Sequence, residues 1–354
     1  MRTKLLVAAL LLASAATGRA EDLKTGTPEL KSASALAFGP KGLLFVGDSA
    51  AATIYAIDTG DTTPSGDKAL NVEQIDSKIA AVLGVAAKDV KITDMKVNTA
   101  SGNVYLSATR SPTSTTPALV KVARDGTVTA VSLKDVPFAS VKLPNPSTSA
   151  KGAAAVITQM AYVDGKLIVA GLSSEEFAST LRVIPYPFKD ADKGTGIRIF
   201  HAAHGGRLET DAPIRSFVAY KIGQEDNIMA AYTCTPLVRI PVAELKPGAK
   251  VNGKTIGELG NRNNPLDMIV YTKDGKDYIL MANSARGVMK IPTTEFGSAA
   301  PLDAAVAGGG TAGVKFETVQ ELKDVLQLDK LNDGNALVLV KAATGSDLKT
   351  VPLP

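Results

Sequence analysis

Beyond residue 20 the chain is written in short runs of alternating apolar and polar residues, broken by Gly, Asp, Asn, Ser and Pro. A period of two is the mark of a strand whose two faces meet different surroundings. Long stretches with helical spacing are almost absent. One unit recurs: an alternating run, a turn, a second and more apolar run, a small polar loop, then a third run. ALAFGPKGLLFVGDSAAATIYAID begins at Ala35, TQMAYVDGKLIVAGLSSEEFASTLRVIPY at Thr158, and LDMIVYTKDGKDYILMANSARGVMKIP at Leu266. Further copies begin at Thr93, Arg215 and Val325. The spacing of roughly 50 to 65 residues is in the range of stacked or radial repeats.

Three strands per copy, with a fourth in the spacer, make a propeller blade. The second strand is the most apolar, as a strand buried between two neighbouring blades should be. Such a blade has two apolar faces and is unstable alone; radial packing buries both and leaves only short edges. The expected fold is therefore all-β, a β-propeller of six four-stranded blades. A seventh would have to come from the long stretch 60–92. Part of that stretch, VEQIDSKIAAVLGV, has helical spacing, with Ile75, Ile79, Val82 and Leu83 on one face. It predicts one short helix inserted near 72–85. DLKTGTPELK, from Asp22 to Lys31, is placed to supply the missing outer strand of the last blade, so that the chain's two ends close the ring.

Runs such as SALAFGPKGLLFVGD and MAYVDGKLIVAG resemble the superfamily of secreted propellers that includes the NHL, YVTN and strictosidine-synthase-like or lactonase-like repeats. The resemblance covers nearly all of the chain after residue 20, but it is one of architecture, and a shared fold transfers no function. It implies that the outer-to-inner connections between blades, and the loops from second to third strand, lie on one face. By resemblance that is the face that carries function.

The N-terminus reads as a secretory signal: basic MRTK, the apolar run LLVAALLLASAAT, then Gly18-Arg19-Ala20 ahead of acidic Glu21-Asp22. The run is short of the roughly 20 apolar residues that span a bilayer. Cleavage after Ala20 would leave 21–354 as a single propeller domain, periplasmic or secreted, in a bacterial setting. No later segment is apolar for long enough to span a membrane. Net charge is +4. Arg2, Lys4 and Arg19 would leave with the signal, so nothing in the remaining balance argues for nucleic acid. The single Cys excludes an intramolecular disulfide framework. The absence of Trp excludes a tryptophan-derived quinone and disfavours aromatic sugar platforms.

The chain's two histidines, His201 and His204, fall in one window, IRIFHAAHGGRLETDAPIRSF, and the only Cys, Cys234, follows nearby. Repeat alignment places HAAHGGRLETD in the connection entering the fourth copy, and Cys234 just after that copy's second strand. Both should lie on the same face, near the ring's centre. Imidazole and thiolate together suit Cu or Zn. Glu209, Asp211 or Met229 would complete the set. The motif is not expected on a helix, so i,i+3 geometry gives it no help. Gly205-Gly206 should make the loop pliable.

Adjoining loops add Ser173, Ser174 and Glu175, then Arg262, Asn263 and Asn264, then Asn283, Ser284 and Arg286. Arg207, Arg262 and Arg286 would clamp a small anionic ligand. These residues support an exported metal-binding propeller, with a copper- or zinc-dependent enzyme as its sharpest form. Two alternatives stay open. One is a non-catalytic scaffold for a partner protein or ligand. The other is a lactonase-like hydrolase using a hard cation; that resemblance would employ Asn263, Asn264, Asn283, Asp48 and Asp94. GGGTAG, at 308–313, lacks the Lys-Ser/Thr of a phosphate loop and is expected to be a flexible connector.

Overall fold

A computed structural model describes residues 23–110, 116–149 and 152–354. The expected signal segment lies outside the described residues. Six sheets, antiparallel except where Lys250–Asn252 pairs parallel with Thr195–His201, form a six-bladed propeller. We number the blades by the order in which their inner strands appear.

Blade 1 holds Ala35–Phe38, Leu43–Asp48, Thr53–Asp58 and, later in the chain, Val136–Lys142. Blade 2 holds Val90–Val97, Val104–Arg110, Pro117–Val122 and Val128–Ala130. Blade 3 holds Gln159–Val163, Lys166–Leu172, Ser179–Pro185 and Thr195–His201. Blade 4 holds Ile214–Ile222, Glu225–Tyr232, Pro236–Pro241 and Lys254–Glu258. Blade 5 holds Pro265–Lys273, Lys276–Asn283, Gly287–Pro292 and Glu317–Val319. Blade 6 holds Val325–Lys330, Asn335–Lys341 and Ser346–Pro352. Ala312–Gly313, inside the expected connector, adds an edge to blade 4.

The apolar core is divided into six wedges, one at each blade-to-blade contact. This is what blades with two apolar faces require. The wedges also give the order around the ring. Blade 1 packs on blade 3 through Phe45, Ile54, Leu167 and Val169, and on blade 2 through Leu36, Leu44, Tyr105 and Leu119. Blade 2 packs on blade 6 through Leu106, Val120, Leu337 and Leu339. The ring therefore runs 2-1-3-4-5-6 and back to 2. The chain lays down three strands of blade 1, builds the whole of blade 2, and returns to finish blade 1 with Val136–Lys142.

Ring closure differs from the sequence expectation. The N-terminal strand Lys24–Gly26 pairs with Val136–Lys142 on the outside of blade 1, not with the last blade. The missing outer edge of blade 6 is supplied by the segment that crosses from blade 1 to blade 2. There Val72 and Leu348 exchange both backbone hydrogen bonds, at 2.9 Å each. The predicted helix follows directly, at Ile75–Leu83. Ile75 and Ile79 are fully buried against blades 2 and 6, whereas Val82 is 39% exposed. The stretch 60–92 thus closes the ring and makes no seventh blade.

Inner strands leave an unpaired backbone edge facing the channel. Side chains of the neighbouring blade satisfy part of it. Asp94 accepts the Leu36 N–H at 2.6 Å, Gln159 the Phe217 N–H at 2.6 Å, and Asp329 the Val97 N–H at 2.7 Å. Among the described residues, no helix is long and apolar enough to cross a membrane.

Candidate metal centre

His201 ends the outer strand of blade 3, and the chain then makes one 3-10 turn, Ala202–His204. The motif as a whole is on no helix, as expected: His201 is extended and only His204 lies in the turn. The two imidazoles stack across the turn, with centroids 3.6 Å apart and planes 29° apart. Gly205 and Gly206 follow with φ of 80° and 70°, left-handed values that L side chains rarely adopt. They turn the chain back as Arg207–Glu209, antiparallel to Ile199–His201.

In that hairpin Glu209 faces Ile199 and Arg207 faces His201, so His201, Arg207 and Glu209 share one face of the strand pair. Glu209 Oε2 lies 2.8 Å from His201 Nδ1. Its Oε1 lies 2.8 Å from His204 Nδ1 and accepts from Arg207 Nε at 2.9 Å. Burial alone would push the Glu209 carboxyl up. The hydrogen bonds from His201, His204 and Arg207 outweigh it, and the carboxyl is pulled down to about 2. Burial lowers the His201 imidazole despite the Glu209 carboxylate beside it. A neutral ring that donates Nδ1–H to a carboxylate keeps its Nε2 lone pair free. His201 Nε2 is buried and has no hydrogen-bond partner. His201 is 1% exposed, whereas the His204 side chain is 33% exposed and forms the accessible edge.

The turn rests on blade 4. Ala203 N donates to Glu258 Oε2 at 3.2 Å, Thr255 Oγ1 to the Phe200 carbonyl at 2.6 Å, and Val306 N to the Ala202 carbonyl at 3.0 Å. These supports come from the fourth strand of blade 4, Lys254–Glu258, and the segment beyond it. The cluster therefore sits at the rim between blades 3 and 4, not at the ring's centre as repeat alignment suggested. Among the described residues, His201, His204 and Glu209 are the one group of His, Cys, Asp and Glu side chains whose donor atoms lie within 4.8 Å of one another.

Cys234 is not in that group. It occupies a tight turn with Thr235, at φ of 63° and 49°, and its Sγ accepts the Arg262 N–H at 3.3 Å. Asn263 and Asn283 are buried beside it in a network of their own. Asn263 Oδ1 accepts from Thr235 Oγ1 at 2.6 Å and Asn283 Nδ2 at 2.9 Å. Asn283 Oδ1 accepts the Ala285 and Arg286 N–H groups at 3.0 and 3.1 Å. The Asn264 N–H donates to Ser284 Oγ at 2.8 Å, and the Ser284 N–H to the Asn264 carbonyl at 2.9 Å. Arg286 reaches the Asn261 carbonyl, and Arg262 is exposed. Met229 is buried between blades 4 and 5. Asp48 is taken up by four donors from Lys31, Ser32 and Ala51.

A second charged cluster lies in the channel; of its members the sequence pointed only to Asp94, and there as a residue for a hard cation. Lys96 of blade 2 reaches past blade 6 to Asp267 of blade 5, with Nζ 3.4 and 3.5 Å from its two oxygens. Asp94 and Asp329 complete it electrostatically. Burial pushes all three carboxyls up, Asp267 to about 7, against the opposing pull of the Lys96 ammonium. The cluster borders a cavity of about 310 Å³ lined by inner strands of all six blades. A sequence signal existed: Thr93-Asp94-Met95 and Leu266-Asp267-Met268 repeat an Asp-Met pair at equivalent positions of two copies. Both Asp residues follow a bulge in the inner strand.

No model of a known family matches the sequence, and no curated protein matches it. Solved structures similar over most of the chain include a proposed glucose dehydrogenase from Thermus thermophilus. It is 11% identical with a TM-score of 0.36, over 93% of this chain and 100% of that one. The PQQ-bound aldose sugar dehydrogenase of Streptomyces coelicolor is 13% identical, with a TM-score of 0.32, over 93% and 97%. A streptogramin B lyase is 10% identical, with a TM-score of 0.33, over 94% and 97%. At these values the likeness assigns no role to any residue of the site.

Proposed function

We propose that the protein binds a borderline divalent metal, zinc or copper, through the His201 and His204 imidazoles, with Glu209 as the carboxylate that orients both rings. The observation that carries this reading is one carboxylate contacting both Nδ1 atoms while His201 Nε2 is left buried without a partner. Histidines that ligate metals commonly donate their other N–H to a carboxylate in this way. Imidazole nitrogen suits zinc and copper. Cys234 takes no part, which revises the ligand set that the residue types alone suggested.

With two protein nitrogens on the ion, the remaining positions stay open to water or substrate, on the side where His204 is accessible. Arg207 is the arm for a small anionic ligand there. Its Nε is held by Glu209, and the side chain is 68% exposed. The N-terminal signal pattern supports export, which N-terminal sequencing of the secreted chain would check.

Calorimetric titration with zinc and with copper tests the metal site. The wild type should bind one ion, and His201→Ala with His204→Ala should bind none. Glu209→Gln should weaken affinity by about ten- to a hundredfold. Cys234→Ser should bind as the wild type does. No binding by the wild type, or loss of binding in Cys234→Ser, would sink the assignment.

A further inference from the structure

The histidine pair is built on blade 3, yet its turn is held from blade 4 by Glu258, a residue the sequence reading did not single out. Glu258 ends the outer strand Lys254–Glu258 and is 0% exposed. Its Oε2 accepts the N–H of Ala203, the middle residue of the turn between the two histidines. Its Oε1 is buried without a partner. A carboxyl group at such a position is costly, since removing it from water takes several kcal/mol unless it is well paired. A methylene chain would pack there at no such cost. The Gly260 N–H also meets the carboxyl, but only the bond to Ala203 crosses to another blade.

We infer that Glu258 is a positioning residue for the His201–His204 pair, acting through the Ala203 backbone. The rings stack across a 3-10 turn that begins just after His201, so their stacking requires that turn to persist. A single turn has little hydrogen bonding of its own and frays readily. Glu258 ties its central N–H to a strand locked in the blade 4 sheet by pairing on both edges, with Pro236–Pro241 and with Ala312–Gly313. The orientation of two side chains on one blade thus depends on a carboxyl of the next.

The two histidines are the only ones in the chain, so long-range proton–nitrogen NMR shows both imidazoles without overlap. The wild type should show Nδ1–H tautomers for both rings. Glu258→Gln, which keeps an acceptor for Ala203 N–H, should preserve them. Glu258→Met should lose the tautomer preference and the ring-current shifts of the stacked pair, at an otherwise unchanged amide spectrum. Ala203→Pro, which removes the donor from the other side, should reproduce that loss. If Glu258→Met does not fold, Ala203→Pro against Glu258→Gln decides alone.

Zinc affinity should fall by about ten- to a hundredfold in Glu258→Met and stay close to the wild type in Glu258→Gln. Unchanged imidazole signals in a folded Glu258→Met or in Ala203→Pro would overturn the inference. This inference uses the site of the metal reading but not the metal. A wild type that binds no zinc or copper ends that reading, while the imidazole spectra still decide the role of Glu258.

Discussion

At the rim, one carboxylate faces three nitrogen partners; in the channel, three carboxylates share one ammonium. Glu209 meets His201, His204 and Arg207 within 2.9 Å and is pulled down to about 2. Asp94, Asp267 and Asp329 have Lys96 between them, and all three are pushed up by burial. Burial pushes the Glu209 carboxyl up just as it does the channel carboxyls, so the direction of that effect does not separate them. The side-chain partners do. Where three side-chain donors serve one carboxylate the charged form wins; where three carboxylates share one ammonium desolvation wins, despite the backbone N–H groups they accept. The rim cluster consequently has a fixed negative centre that orients two imidazoles. The channel cluster is a cross-ring tie whose charge depends on pH.

The largest test of this contrast removes the ammonium from the channel cluster. Lys96→Met should cost about 3–5 kcal/mol in urea unfolding at pH 7, because it strands buried carboxylates. The loss should shrink at pH 5, where Asp267 takes up a proton. An equal cost at both values would show that Lys96 acts by packing and not by charge. At the rim, Glu209→Gln should cost about 1–3 kcal/mol, since one amide cannot accept from three donors.

The two clusters should also oppose each other in their dependence on pH. Glu209 titrates near 2 when folded and near 4.5 ordinarily, so its contribution is full above 4.5 and is lost as pH falls toward 2. Asp267 titrates near 7 when folded and near 3.8 ordinarily. Between those values the folded state holds a proton that the unfolded chain has released, so stability falls as pH rises across the window. Asp267→Asn should flatten the fall between pH 4 and 7 and leave the acid limb untouched. Glu209→Gln should do the reverse. If each variant alters the other's limb, the two clusters are coupled through blades 3 to 5 and the contrast fails.

The smallest expected effect is that of Arg207→Ala. Its side chain is 68% exposed, so the stability cost should stay below about 1 kcal/mol. Its value lies in the direction of change: the Glu209 carboxyl should titrate higher, because a donor has been withdrawn.

Much of the fold was legible in the residue pattern. Each blade's inner, second and third strands are joined by short turns, and their alternation is written within about 30 residues of sequence, so local pairing can be read locally. The helix at Ile75–Leu83 was equally plain, because its apolar spacing serves one buried face. The site was legible in part. His201, His204, Arg207 and Glu209 share one short loop, and their residue types announce the chemistry. Cys234 belongs to the same list of soft donors but not to the same place. Glu258 carried no signal, since a lone Glu closing a strand looks like any exposed polar residue until the next blade's turn covers it.

The sequence by itself determined which segments are strands, where they turn, and that six like units must pack side by side to bury two apolar faces each. Those decisions rest on hydrophobic periodicity and turn chemistry over short distances. Only the tertiary structure decided the order of the ring and the strand that closes it. The same holds for the position of the histidine hairpin at the rim and for the meeting of Lys96 with carboxylates of blades 5 and 6. These depend on contacts between segments far apart in the chain, such as the bond from the Leu70 N–H to Thr350, 280 residues away. Any blade can accept any other as a neighbour if both faces are apolar. The choice among neighbours is made by wedge packing and edge hydrogen bonds that exist only once the ring has closed.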